Sequence, residues 1–210
     1  MKASTLAIYL ILAQALLTVV RADIVLTQHT FAGAAKTPVV TTMSIKGDKV
    51  RSDNDTTTSV LMDTTTGDMT TLMHEQKMVI KVNTKDLPKP QDVPGVDPQS
   101  LLPKITATGQ KESIDGHECE IYTSEAYGTV MKMWMCANYP GYDKLKAELK
   151  TLAKLAAPGA PKGPEVPGMM LQSEYEAGGV KFVTKLISLD ERPLGDDLFA
   201  IPSDYKAPGA

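Results

Sequence analysis

Short segments in which apolar and polar residues alternate, each closed by turn-forming residues, run along most of this chain. They leave little room for anything but an antiparallel sheet. Ile24 to Phe31 is the first. Val39 to Ile45 reaches a turn at Lys46-Gly47-Asp48-Lys49 and returns through Val50 to Asp53. Ser59 to Asp63 turns at Thr66-Gly67-Asp68 into Met69 to Glu75, and Met78 to Val82 follows. Strands of this length joined by tight turns make a meander. Threonines at 56–58, 64–66 and 70–71 favour strands. With one Trp and three Phe, the core must rely on Leu, Ile, Val and Met.

Two stretches break the pattern. Leu87 to Pro103 carries Pro88, Pro90, Pro94, Pro98 and Pro103, which remove backbone donors and bar regular pairing, so it reads as a long surface connection. Ala157 to Gly168, with Pro158, Pro161, Pro164 and Pro167, reads as a mobile linker. One segment is helical: in Tyr142 to Ala156 the residues Tyr142, Leu145, Leu149, Leu152 and Ala156 recur at spacings of three and four, with lysines on the other faces. Its leucine stripe must lie on an apolar surface, and the concave side of a curved sheet is the natural one.

A hairpin between His117–Ala126 and Thr129–Ala137 around Tyr127-Gly128 pairs residues whose numbers sum to 255. Cys119 and Cys136 satisfy that sum and fall in a non-hydrogen-bonded pair, where Cα atoms lie about 4.5 Å apart, within disulfide range. A disulfide is therefore expected, contributing about 2–3 kcal/mol. The alternative, a metal held by His117, Cys119 and Cys136, lacks a fourth ligand and any CxxC pair. The same register pairs Ile121 with Trp134 on one face and Tyr122 with Met133 on the other.

Met131, Met133 and Met135 then form a stripe of adaptable side chains. Ordinary core, a lipid-contacting wall and a thioether copper site are the three readings of it. His29 and His74 stand apart from any ligand cluster and read as satisfied strand residues. No nucleophile elbow, zincin, phosphate-loop or dinucleotide motif is present, so the sequence names no reaction and no cofactor. Asn54-Asp55-Thr56 is a glycosylation sequon that matters only in a eukaryotic secretory host.

Residues 1–22 read as a cleavable secretory signal: Lys2, an apolar run from Leu6 to Val20, then Val20-Arg21-Ala22 with small residues where a signal peptidase reads. The apolar run is too short and interrupted to span a bilayer comfortably, so no integral span is expected once the signal is removed. No cysteine near the cleavage point could be acylated. This predicts a periplasmic or secreted protein whose residues 23–210 form a single domain. Lys2 and Arg21 leave with the signal, so 20 Lys and Arg face 25 Asp and Glu, a net charge of −5. That balance argues against nucleic acid as a partner.

Met169 to Ala177 and Val180 to Asp190 form a second hairpin around Gly178-Gly179, with pairs summing to 357: Tyr175 meets Phe182, Leu171 meets Leu186, and Gln172 meets Lys185. The chain then runs through Pro193-Leu194-Gly195-Asp196-Asp197-Leu198-Phe199-Ala200-Ile201-Pro202 to Tyr205, a clasp expected to dock on the end of the sheet. This ending resembles that of periplasmic proteins with the LolA-like fold, and most closely the bacterial exported family called domain of unknown function 4412. Ile45-Lys46-Gly47-Asp48-Lys49-Val50-Arg51 and Gly116-His117-Glu118-Cys119-Glu120-Ile121-Tyr122, followed by Trp134, match that family's texture. The resemblance implies a mainly β fold: a strongly curved antiparallel half-barrel of about eleven strands with one amphipathic helix in its concave face. It also implies non-enzymatic carriage of a lipid or lipidated protein, with no residue roles to transfer.

The expected ligand-binding residues are Met131, Met133, Met135 and Tyr122, with Leu145, Leu149 and Leu152 as a helix lid and Trp134 as an alternative lining. A structural protein plugged by its own helix, and copper handling through Met and His, are the competing expectations.

Overall fold

The computed structural model describes residues 23–87, 102–126, 128–147, 149 and 165–208. The signal segment, most of the proline-rich connection and the second half of the expected helix lie outside these residues.

Among the described residues the chain forms an eleven-stranded antiparallel sheet with one short α-helix. The first meander comprises β1 (Ile24–Ala32), β2 (Val39–Lys46), β3 (Lys49–Asn54), β4 (Thr58–Asp63), β5 (Asp68–Met73) and β6 (Met78–Asn83). The second comprises β7 (Lys104–Ile114), β8 (His117–Ala126), β9 (Thr129–Cys136), β10 (Met169–Ala177) and β11 (Val180–Glu191). The spatial order is β6-β5-β4-β3-β2-β1-β11-β10-β9-β8-β7, so the first and last strands pair at the centre. Asp23 buttresses that seam: its carbonyl accepts from the Arg192 amide at 3.1 Å and its carboxylate from the Leu194 amide at 2.7 Å. β6 and β7, consecutive in sequence, stand at opposite edges and the sheet does not close.

Both hairpins keep the register that their turns dictate. β8 and β9 pair from Ala126–Thr129 to Glu120–Met135 without a slip. Beyond them Cys119 and Cys136 are bonded, with Cα atoms 4.1 Å apart. β10 and β11 pair from Ala177–Val180 to Gln172–Lys185, and Tyr175 stacks on Phe182 with ring centroids 5.0 Å apart. Gly178 and Gly179 sit at φ 58° and 75°, the left-handed pair that a two-residue turn of this hand requires.

Three irregularities bend the sheet, between Thr27 and Gln28 against β11, between Met170 and Gln172 against β9, and between Ala107 and Lys111 against β8. The ladder between β10 and β11 ends at Gln172–Lys185, so the expected Leu171–Leu186 pair is replaced by packing: both leucines are buried in the main core. That core joins Ile24, Leu26, Ile45 and Val50 of the first meander to Cys119, Ile121, Trp134 and Cys136 of the second, through Met169, Leu171 and Leu186. The helix α1 (residues 142–147, with 149 also helical) seats Leu145 in it at 1% exposure, and Tyr142 packs alongside.

The C-terminal segment docks on the first meander. Residues 196–199 form a 3-10 turn whose Leu198 carbonyl accepts from Arg51 Nη1 at 2.7 Å, and Lys206 makes a parallel bridge to Met78 at the β6 edge. Tyr205 packs on a second small core of Leu61, Leu72 and Val79.

Candidate functional site

Directly paired residues share a face of a sheet, and so do alternate residues along one strand. In the first meander, Leu26 pairs with Met43, and Ile24 leads through Ile45 and Val50 to Met62 and Met69. Met73, four residues beyond Met69 on β5, pairs with Met78. Five methionines therefore share one face with Ile24 and Leu26. In the second half, Met131 leads through Tyr175 and Phe182 to Ala32, and Met133 through Ser173 and Thr184 to Thr30. Thr30 and Ala32 are on the even-numbered face of β1, the face of Ile24 and Leu26. Met135 follows Met133 by alternation and pairs with Met170. Of the eleven methionines in the sequence, nine thus follow one register parity, with the main core packed on this side in the first meander and on the opposite, Trp134 side in β8 and β9. Met169 pairs with Cys136 on the other, and Met1 lies outside the described residues.

Eight of the nine are half-buried, and Met133 is buried at 6% exposure. Met43 and Met62 pack against the main core. The remaining row over β4 to β6, with Val60, Ile80 and Val82, includes two of the more exposed large apolar residues, Ile80 at 40% and Val82 at 38%. A carboxylate borders the β8–β9 end of this face. Tyr122, opposite Met133, donates to Glu120 Oε2 at 3.0 Å, and Glu120 stands opposite Met135. Burial, and then its bond to Glu120, push the Tyr122 phenol above its usual range.

The residues expected from sequence divide between two environments. Met131, Met133, Met135 and Tyr122 share the methionine face. Trp134 alternates to the other face of β9 and lies in the main core with Leu145. Its indole Nε1 donates to Glu112 Oε2 at 2.8 Å and Lys132 Nζ lies 4.4 Å from its ring centroid, so its edge and one ring face are engaged within the fold. Leu149 is 38% exposed, and Leu152 lies outside the described residues. Met43, Met62, Met69, Met73, Met78 and Met170 were not singled out by sequence reasoning. The signal that could have found them is the strand register itself, once the meander is laid out pair by pair.

Behind the first meander lies a polar chain that sequence reasoning also missed. Arg51 Nε donates to Asp53 Oδ1 at 2.7 Å and Arg51 Nη2 to Ser59 Oγ at 3.0 Å. Ser59 Oγ donates to Asp53 Oδ1 and lies 2.7 Å from His74 Nε2. His74 Nδ1 meets the Tyr205 hydroxyl at 2.6 Å. A serine beside a histidine invites comparison with a nucleophile and its base. Here Ser59 Oγ gives its proton to Asp53, so it can only accept from His74 Nε2. Ser59 is 0% exposed. The cluster fastens Tyr205 to the sheet and cannot withdraw the serine proton in this arrangement.

A metal cluster of three or more His, Cys, Asp or Glu is absent among the described residues. A family model described as Domain of unknown function (DUF4412) matches residues 27–205. The chain belongs to the DUF4412 family. No curated protein matches it by sequence. Among solved structures, this DUF4412 chain is similar to PNGF-II at 11% identity, covering 90% of this chain and 31% of that one, with a TM-score of 0.44. It thus spans about a third of PNGF-II's length. It is also similar to the LolA superfamily protein NE2245 from Nitrosomonas europaea at 12% identity, covering 85% and 89% of the two chains, TM-score 0.32. With LprF from Mycobacterium bovis the identity is 11%, the coverage 86% and 89%, and the TM-score 0.34.

Proposed function

We propose that this DUF4412 protein is an exported, non-enzymatic binder of a flexible hydrophobic ligand, an acyl chain or lipid, held on the methionine face. The observation that carries this reading is that nine of eleven methionines follow one register parity of the sheet, five in the first meander and four in β9 and β10. Methionine is unbranched and polarisable, so it adapts to ligands of varied shape where branched side chains would fix one. A face meant only for a permanent core would gain specificity from Leu, Ile and Val instead.

Export is part of the same proposal. The disulfide belongs to an oxidising compartment, and no described helix is long and apolar enough to cross a membrane.

The test uses residues 23–210 freed of lipid and an environment-sensitive fluorescent fatty acid. Met73→Glu and Met131→Glu each place a charge on the face at half-buried positions. Both variants should fold and bind the probe at least tenfold more weakly, since desolvating an unpaired carboxylate costs more than 1.4 kcal/mol. Unchanged binding by folded variants would overturn the reading. Native mass spectrometry of protein purified from its own host without detergent should show a bound mass that extracts into organic solvent.

A further inference from the structure

Three methionine pairs face each other directly across strands: Met62–Met69, Met73–Met78 and Met135–Met170. The third has a third thioether beside it. Met133 lies two residues from Met135 on the same face, about 7 Å away along the strand, and Met170 is about 4.5–5.5 Å from Met135 across it. Met133 and Met170 are diagonal neighbours at about 7–8 Å. Methionine has three rotatable bonds, so three sulfurs on such positions can converge on a common point.

The Met135–Met170 pair also has an acid at its border. Glu120 is the register partner of Met135 on β8, whereas Met62 and Met69 are flanked by Val50 and Val82. A carboxylate there offsets the charge of a cation that the half-buried thioethers alone would leave uncompensated. Lys111, the partner of Glu120 on β7, is tied to Glu118 at 2.8 Å.

We propose that Met133, Met135 and Met170 form a thioether site for a soft monovalent ion, Cu(I) or Ag(I), with Glu120 as the neutralising anion. Both cysteines are locked in the disulfide, and His117 lies on the opposite face of β8, so thioethers are the soft donors this face offers. A donor set without imidazole selects Cu(I) over Cu(II), which prefers nitrogen and oxygen. The site goes beyond acyl binding, and the two can be told apart because the ion is titrated into lipid-free protein with no fatty acid present and each ligand has its own readout on the wild type.

Met135→Leu/Met170→Leu keeps volume and hydrophobicity and removes two sulfurs. Cu(I), kept reduced under argon, is titrated against a chromogenic Cu(I) chelator, and Ag(I) binding is read by native mass spectrometry. Wild-type protein should withhold one ion per chain. The double variant should bind it at least roughly tenfold more weakly, no less than the loss of an outer-shell partner costs, while its denaturant midpoint shifts only by the small amount a volume-conserving swap brings. Copper-edge X-ray absorption of the loaded wild type should show sulfur neighbours. No retention by wild type, equal retention by the double variant, or a shell of nitrogen and oxygen alone would each overturn the site. Wild-type protein that holds the ion but takes up no fluorescent fatty acid would overturn acyl binding and leave the site standing.

Discussion

His74 Nδ1 and the Tyr205 hydroxyl meet at 2.6 Å across 131 residues of chain, fastening the last described segment to the end of β5. Tyr205→Phe removes this bond and keeps the ring on Leu61, Leu72 and Val79. The expected loss is about 1 kcal/mol, as for a typical part-buried hydrogen bond, read as a lower urea midpoint with unchanged slope. A midpoint equal to wild type would show that the hydroxyl contributes nothing to holding the segment.

Gly168 leads the chain into β10 at φ 94°, and a Cβ there would lie 2.6 Å from the backbone carbonyl of Cys136. Gly168→Ala should therefore cost about 2 kcal/mol or more, combining left-handed strain with a clash against backbone. Gly47→Ala meets nothing within 4 Å at φ 59° and should cost about 1 kcal/mol. Thermal melts of the two variants side by side check the difference, and a Gly168→Ala protein as stable as Gly47→Ala contradicts it.

Breaking the disulfide by Cys119→Ala/Cys136→Ala should destabilise the domain by about 2–3 kcal/mol, because the bridge closes a loop with a sequence separation of 17. Denaturant unfolding of the double variant measures this. The β8–β9 register should survive the loss, since the pairs from Glu120–Met135 to Ala126–Thr129 do not depend on the bridge. Nuclear Overhauser contacts between Tyr122 and Met133 report on it directly.

Two ion pairs tether the C-terminal segment: Lys46 to Asp196 at 2.8 Å and Lys77 to Asp204 at 2.7 Å. The hydrogen bond from Lys46 lowers the Asp196 carboxyl, and that from Lys77 lowers Asp204, both from an ordinary 3.8. A lowered carboxyl contributes stability above 3.8 that is lost as pH falls through its folded value. The lysines are raised from 10.5 by the same bonds, so their contribution is lost as pH climbs above that value. The amide of Lys206, which donates to the Lys77 carbonyl at 3.0 Å, should lose exchange protection below about pH 4 before the β1–β11 seam does. Added salt at neutral pH should weaken the tether modestly, since these pairs are exposed. Simultaneous loss of protection at both places would refute a separately held segment.

Much of the sheet is legible because strand pairing is local. Alternation of two and a short turn fix each hairpin, so the sums of 255 and 357 predict Ile121 opposite Trp134 and Tyr175 opposite Phe182. The extra residues at Leu171 and Ile187 are not legible, because a bulge leaves both strands looking regular in sequence. The C-terminal clasp is legible as a unit. That it lies against β3 to β6, reaching His74 and Arg51, follows from tertiary partners more than a hundred residues away.

The sequence by itself determined the β class, the turns, the register of both long hairpins and the cysteine pair, all of which depend on contacts between near neighbours. Only the tertiary structure decided that β1 and β11 join two meanders into one open sheet, and that joining gives the methionines a common face. Met43, Met73 and Met131 are far apart in sequence and carry no mark of one another. The physical reason is parity: one bulge reverses which face every later residue presents, so the face shared by distant strands exists only in the assembled register.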